Sequence, residues 1–295
     1  MKYKIIHKTT YQYSKDVSHC YNIAHLKPRD FERQHCTSHN LAIEPMPANI
    51  RHNIDIYGNQ RSYFNVQNPH RALIVTATSE VEVHPPVKFD QALDSPSWEK
   101  VIEMLKHSQD PADLDAMQYL VESPYIVFDS QMVIYASSSF KQGRPLLAAV
   151  NDLMSRIFHD FDYDPNFTTI ATPLTEVMKH RRGVCQDFAH LAISCLLAMG
   201  IPARYVSGYL ETRPPPGKKK LQGADASHAW FSVYVPESGW VDFDPTNNRI
   251  PMNEHIVTAW GRDYGDVTPL KGIIFGGGDK HLLDVEVDVI PLDIA

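Results

Sequence analysis

Residues 183–202 restrict the fold more than any other stretch of this chain. Phe188, Leu191, Ala192, Cys195, Leu196 and Met199 fall at i, i+3, i+4, i+7, i+8 and i+11, one apolar helical stripe. Gly200 stops that helix, and Ile201-Pro202 prevents its continuation. Counting back three from Phe188 puts Cys185 on the buried face, in the first turn. Gly183, in Arg182-Gly183-Val184, allows the chain a sharp approach. After Pro202 the period changes from helical to two, and residues 203–211, 229–235 and 240–244 read as three antiparallel strands. The architecture this predicts is α+β, with a buried helix presenting its start beside an antiparallel sheet.

The front of the chain has a different grain. Residues 9–13, 40–43, 53–57, 61–66 and 73–83 read as short strands, and Tyr57-Gly58-Asn59-Gln60 supplies a hairpin turn between two of them. Thr76, Thr78, Glu80 and Glu82 alternate with Val75, Ala77, Ser79, Val81 and Val83, the pattern of a half-buried antiparallel strand. The expectation is an N-terminal antiparallel β-domain, sandwich-like, over residues 1–85, closed by His84-Pro85-Pro86. No long Gly/Ser linker follows, so this domain is expected to pack on the rest.

Residues 86–295 then read as a helical segment plus a catalytic core. Ser95-Pro96 offers an N-cap and first-turn proline, with Trp98, Val101, Ile102 and Leu105 following at helical spacing. A second helix is expected over 144–158, and a short one from Thr172-Pro173 carrying Leu174, Val177 and Met178. Residues 282–289 place Leu283, Val285, Val287 and Val289 on one face, a strand able to join a β-sheet.

Composition narrows the function. The net charge of −7 argues against nucleic acid or anionic lipid as the main partner. No apolar run approaches the ~20 residues of a membrane span, and residues 1–13 lack the apolar core of a signal peptide. Four cysteines are no disulfide framework, which makes a cytoplasmic location the expectation.

The chemistry converges on Cys185. A thiol attacks as thiolate, and a helix start favours negative charge through its aligned peptide dipoles and unpaired N–H groups. Such a nucleophile needs a base, and the base an orienting carboxylate. His228 opens an apolar strand in Ser227-His228-Ala229-Trp230. The string Trp240-Val241-Asp242-Phe243-Asp244-Pro245 offers two carboxylates, and spacing alone does not choose between Asp242 and Asp244.

Longer strings carry a family resemblance. Gly183-Val184-Cys185-Gln186-Asp187-Phe188-Ala189-His190 and Gly200-Ile201-Pro202-Ala203-Arg204-Tyr205-Val206-Ser207-Gly208-Tyr209 look like the core of the bacterial transglutaminase-like proteins. So do Ala224-Asp225-Ala226-Ser227-His228-Ala229-Trp230 and Phe243-Asp244-Pro245-Thr246-Asn247. Asp55-Ile56-Tyr57-Gly58-Asn59 is similar to that family's N-terminal β-domain, and Trp260-Gly261-Arg262-Asp263-Tyr264-Gly265-Asp266-Val267 to its tail. The resemblance implies a papain-like, transglutaminase-like cysteine-enzyme core. It implies Cys185 as nucleophile, His228 as base and Asp244, preferred over Asp242, as orienter. The implied activity is amide or peptide-bond cleavage through an acyl-thioester, on a peptide, protein or amide substrate and without a cofactor. A protein-glutamine acyltransferase uses the same triad, and a non-catalytic peptide-binding module is the alternative from another class.

Other residues have weaker claims. Gln186, Asp187, Asp225 and Trp230 are candidates for substrate contact or for supporting the triad. His190 neighbours the nucleophile in sequence without having to face it, and Cys195 reads as core. Tyr205, Tyr209, Trp230 and Trp240 are aromatics available to wall the cleft, and Lys218–Lys220 could lie at a substrate edge. His19-Cys20 and His35-Cys36-x-x-His39 carry soft-ligand residue types, but the spacing matches no common zinc finger, and no metal is expected. Cys20 and Cys36 are also the two cysteines open to pairing.

Overall fold

The computed structural model describes residues 1–86, 95–169, 172–212 and 227–292. Five strands form first: β1 (Lys2–Ala24), β2 (Gln34–Glu44), β3 (Asn49–Ile54), β4 (Gln60–Val66) and β5 (His70–Val83). They are antiparallel neighbours in the order β2-β5-β1-β4-β3. Strand β1 is far longer than the sequence suggested, because its alternation continues through an irregularity between Gln12 and Val17. Its first half pairs with β5 and its second with β4. Tyr13, Val17, Cys20, Phe64, Val66, Leu73 and Val75, drawn from both halves, share one core. The 73–83 alternation holds, with Val75, Ala77, Ser79, Val81 and Val83 buried.

Helices follow: α1 (Trp98–His107), α2 (Pro111–Met117), α3 (Ser130–Ser137) and α4 (Leu146–Asp160). The cap of α1 is Ser97, which accepts from Lys100 N–H, and not Ser95. Ser95 instead accepts the Leu147 N–H at 3.0 Å, satisfying an orphan donor at the start of α4. A two-residue strand β6 (Asp162–Tyr163) precedes α5 (Leu174–His180), and β7 (Arg182–Gly183) pairs with β6 in parallel. Helix α6 (Cys185–Ala198) begins directly after Val184, which is extended. It is buried nearly all round, as a central helix must be.

Strands β8 (Ala203–Leu210), β9 (Ser227–Val235), β10 (Gly239–Phe243) and β11 (His255–Gly261) form a second antiparallel sheet, ordered β10-β9-β8-β11. Helix α6 packs on β8 and β9. After the short α7 (Tyr264–Val267), β12 (Leu270–Gly276) and β13 (His281–Pro291) return to the first sheet, and both pair with β1. The seven-stranded sheet is therefore built from both ends of the chain. In β13 only Val287 and Val289 are buried; Leu283 and Val285 lie exposed on the same face.

Several contacts fix the sheets to each other, among them an apolar cluster and a polar clasp. Tyr3, Ile5, Val81, Val83, Val287 and Val289 of the first sheet meet Tyr209 and Ile256 of the second in one apolar cluster. The Asp55–Asn59 turn clasps the Trp260 segment: Asn59 Nδ2 donates to the Trp260 carbonyl at 2.8 Å, and Trp260 N–H donates back to Asn59 Oδ1 at 2.9 Å. Gly58 takes φ +76° in that turn, a value that favours glycine. Arg262 then pairs with both Asp266 oxygens, and Asp263 caps α7, so this polar segment is a structural tie. No helix among the described residues is long and apolar enough to cross a membrane.

Candidate active site

The approach to Cys185 is shaped by two neighbours. Arg181, left-handed at φ 56°, ends α5 and turns the chain back. Gly183 has no room for a side chain, since a Cβ there would lie 2.9 Å from the Asp187 carboxylate. Asp187 Oδ2 accepts the Val184 N–H at 2.8 Å and the Thr168 hydroxyl at 2.7 Å. It thereby caps the helix that carries the thiol and ties the 164–169 segment beside it. Burial raises the Asp187 pKa against the lowering effect of those two bonds.

His228 sits at the start of β9, with its backbone opposite Gly208. A Cβ on Gly208 would collide with the Ile256 carbonyl and the Trp230 ring, so glycine permits this close packing. His228 Nε2 donates to Asp244 Oδ2 at 2.8 Å. Cys185 lies close enough to the same imidazole for its side chain and charge to raise the His228 pKa. Burial lowers the His228 pKa, but the bonds and charges of Asp244 and Cys185 outweigh it and raise it to about 10. This arrangement favours the imidazolium form of His228 beside Cys185.

Asp244 is fully buried. Its Oδ2 accepts from His228, from Asn247 Nδ2 at 2.7 Å and from His255 Nε2 at 2.9 Å. Its Oδ1 accepts the Thr246 and Asn247 N–H groups at 3.0 and 3.2 Å. Burial opposes its charge, yet the two histidines hold the pKa far below the usual carboxylate range. Asp242 goes elsewhere: it accepts from Arg33 at 3.0 Å and from the Ser232 hydroxyl. Of the two carboxylates that strand spacing left open, Asp244 is the one that meets His228.

The remaining candidates divide. Trp230 is fully buried with its ring 5.9 Å from that of His228. Gln186 is half-buried in the first turn of α6. Asp225 and Lys218–Lys220 lie outside the described residues. His190 accepts the Tyr264 N–H and stacks on Tyr125, so it braces α6 from within; burial lowers its pKa to about 3. Trp240 packs on Arg204, Tyr119 and Tyr234, and Tyr209 bonds His7 of β1, so neither walls the thiol. Tyr205 and Tyr163 do lie near it: after burial, the Cys185 charge raises the pKa of each.

Cys195 is buried core, and Cys20 and Cys36 are unpaired. His35 pairs with Asp30 and His39 with Ser79, so the residues around Cys36 do not converge. His228, Asp244 and His255 are the one grouping of metal-ligand types among the described residues. Their 2.8 and 2.9 Å contacts are hydrogen bonds from two imidazoles onto one carboxylate oxygen.

Sequence reasoning missed His255, Tyr163 and Thr168. Asn247 lay inside a string already singled out, but nothing marked it as a donor to Asp244. The one signal for His255 was a histidine opening a predictable apolar run, 255–260.

A helix-borne cysteine facing a strand-borne histidine and a buried aspartate on an antiparallel sheet defines the papain-like, transglutaminase-like class of cysteine-enzyme folds. Residues 3–82 match the bacterial transglutaminase-like N-terminal region, and residues 135–245 match the transglutaminase-like superfamily core. An uncharacterized protein of Mycobacterium tuberculosis is 43% identical over 99% of this chain and 93% of its own length. The chain belongs to the bacterial transglutaminase-like family. A candidate cysteine protease from Cytophaga hutchinsonii shares the fold, with TM-score 0.76 and 24% identity, covering 100% of this chain and 92% of that one. A protein-glutamine gamma-glutamyltransferase of Pseudomonas aeruginosa is 32% identical over 42% of this chain and 20% of its own length.

Proposed function

We propose that this protein is a cysteine-dependent amide or peptide-bond hydrolase. Cys185 thiolate attacks the carbonyl carbon, and unpaired N–H groups at the start of α6 hold the oxyanion. His228 gives its proton to the leaving amine, which departs and leaves an acyl-thioester on Cys185. His228 then takes a proton from water, whose oxygen displaces the thiolate and releases the acid. Asp244 orients the imidazole throughout and takes no proton. The observation that carries this reading is the 2.8 Å bond from His228 Nε2 to buried Asp244, with Cys185 near enough to raise the pKa of the same imidazole. Substrates are peptides, proteins or other amides. Four unpaired cysteines suit a reducing, cytoplasmic setting.

Acyl transfer to an amine is the second reading, favoured by the likeness to the P. aeruginosa glutamyltransferase. Water at ~55 M needs no dedicated site, whereas an acyltransferase must hold water back. The aromatics beside the thiol are Tyr163, 57% exposed, and Tyr205, and an exposed phenol is a poor barrier to water. The test is a partition experiment on glutamine-containing peptides with rising primary amine, using Cys185→Ala as control. Free acid as the main product at millimolar amine is expected. Amine incorporation that overtakes hydrolysis at low amine reassigns the protein as an acyltransferase.

A further inference from the structure

His255 is a buried imidazole for which the triad has no stated use. It opens β11 at 4% exposure. Its Nε2 reaches the same Asp244 oxygen that His228 holds, at 2.9 Å against 2.8 Å. Its other nitrogen, Nδ1, is buried and makes no hydrogen bond among the described residues. The bond to Asp244 therefore selects the tautomer with the proton on Nε2. Trp230 stands edge-on to the His255 ring, at 5.1 Å and 80°. The charged or titratable groups facing it are Asp244, His228, Glu254 at 4.0 Å and, across a small cavity between the two sheets, the Asp242–Arg33 pair.

We propose that His255 is a positioning residue that shares the triad carboxylate and so limits how basic Asp244 makes His228. The proposal rests on the Cys185–His228–Asp244 reading above. Each donor on a carboxylate stabilises its charged form and weakens its hold on the next proton. Asp244 keeps Asn247 and two backbone N–H groups if His255 is removed, so it stays in place. What changes is the charge available to His228. With less competition the imidazolium holds its proton harder, and a more basic imidazolium is a poorer acid toward a leaving amine.

The test follows iodoacetamide labelling of Cys185 against pH in the full chain, by peptide mapping. In His255→Leu the alkaline limb is expected to move up by about one pH unit. His255→Gln, whose amide can still donate to Asp244, is expected to keep the wild-type profile. Proton NMR of the wild type gives a reading that depends neither on reactivity nor on folding of the leucine variant. Two strongly downfield imidazole protons, both on Nε2, are expected, and His255→Gln loses one of them. A single such proton in the wild type overturns the proposal, as does a folded His255→Leu whose limb stays put or moves down. Wild-type protein in which Cys185 is inert overturns the nucleophile reading instead, and the NMR result still decides the sharing of Asp244.

Discussion

The two sides of the His228 imidazole are built on opposite plans. On one side Asp244 is sealed from water and accepts five hydrogen bonds from three side chains and two backbone groups. On the other side Cys185 is only half-buried, at a helix start flanked by exposed Tyr163. A buried carboxylate stays charged only when its lone pairs are met, so that side must be rigid and crowded. A nucleophile needs room for a carbonyl, so its side must stay open. Under the proposed mechanism, rigidity is placed on the group that orients the imidazole, and access on the group that attacks.

Removing the shared ring tests the comparison most severely. His228→Ala is expected to lower turnover by about 10³-fold or more, since base and acid disappear together. Asp244→Ala is expected to cost less in rate, about 10²-fold, but more in stability, on the order of 3 kcal/mol, because it strands buried donors. Rates on a cleavable peptide and urea melts of both variants check this. A His228→Ala variant less stable than Asp244→Ala would break the contrast.

A pH series sharpens it. The His228 pKa is raised in the fold, so its contribution to stability is complete below about 6.5 and is lost as pH rises toward about 10. The Asp244 pKa is depressed, so its contribution is present above the ordinary carboxylate range and is lost only in strong acid. Thermal melts from neutral to alkaline pH are expected to fall more steeply in the wild type than in Asp244→Ala. Equal slopes would mean that the ion pair adds nothing to folding.

The smallest effect is expected at Asp242→Ala. It frees Arg33 and Ser232 at the contact between the sheets, for a loss of about 1 kcal/mol and an activity within about twofold of wild type. If it proved more damaging than Asp244→Ala, the assignment of the orienting carboxylate would shift by two residues.

Much of the site was legible because its parts lie on regular elements. Period 3.6 put Cys185 at a helix start, and period two put His228 and Asp244 at strand ends. The choice of Asp244 over Asp242 was not readable from spacing, since it depends on where Arg33 arrives from the other sheet. The contact of His255 with Asp244 was equally unreadable, since their elements lie on opposite edges of the sheet and the fold alone brings the two side chains together. In the fold, the 73–83 alternation marked β5 correctly. Helices α2 and α3 escaped notice because they are short and lack a long apolar stripe. The cap of α1 was misassigned because Ser95 and Ser97 are equally good cap residues locally, and contact with α4 decides between them. Strand β12 carries Ile273 and Phe275 exposed, so its alternation does not announce a buried face.

The pairing of β1 with β12 and β13 sets a schedule for biosynthesis. Strand β1 leaves the ribosome before all four of its partners, and β12 and β13 leave long after β4 and β5. At roughly 5–20 residues per second the nascent chain holds an incomplete sheet for tens of seconds. During that interval the main-chain donors and acceptors that will meet β12 and β13 stand open to other strands. A stop codon placed before Leu270 would leave that condition permanent, and the truncated product would be a substrate for chaperones and proteases rather than a smaller enzyme.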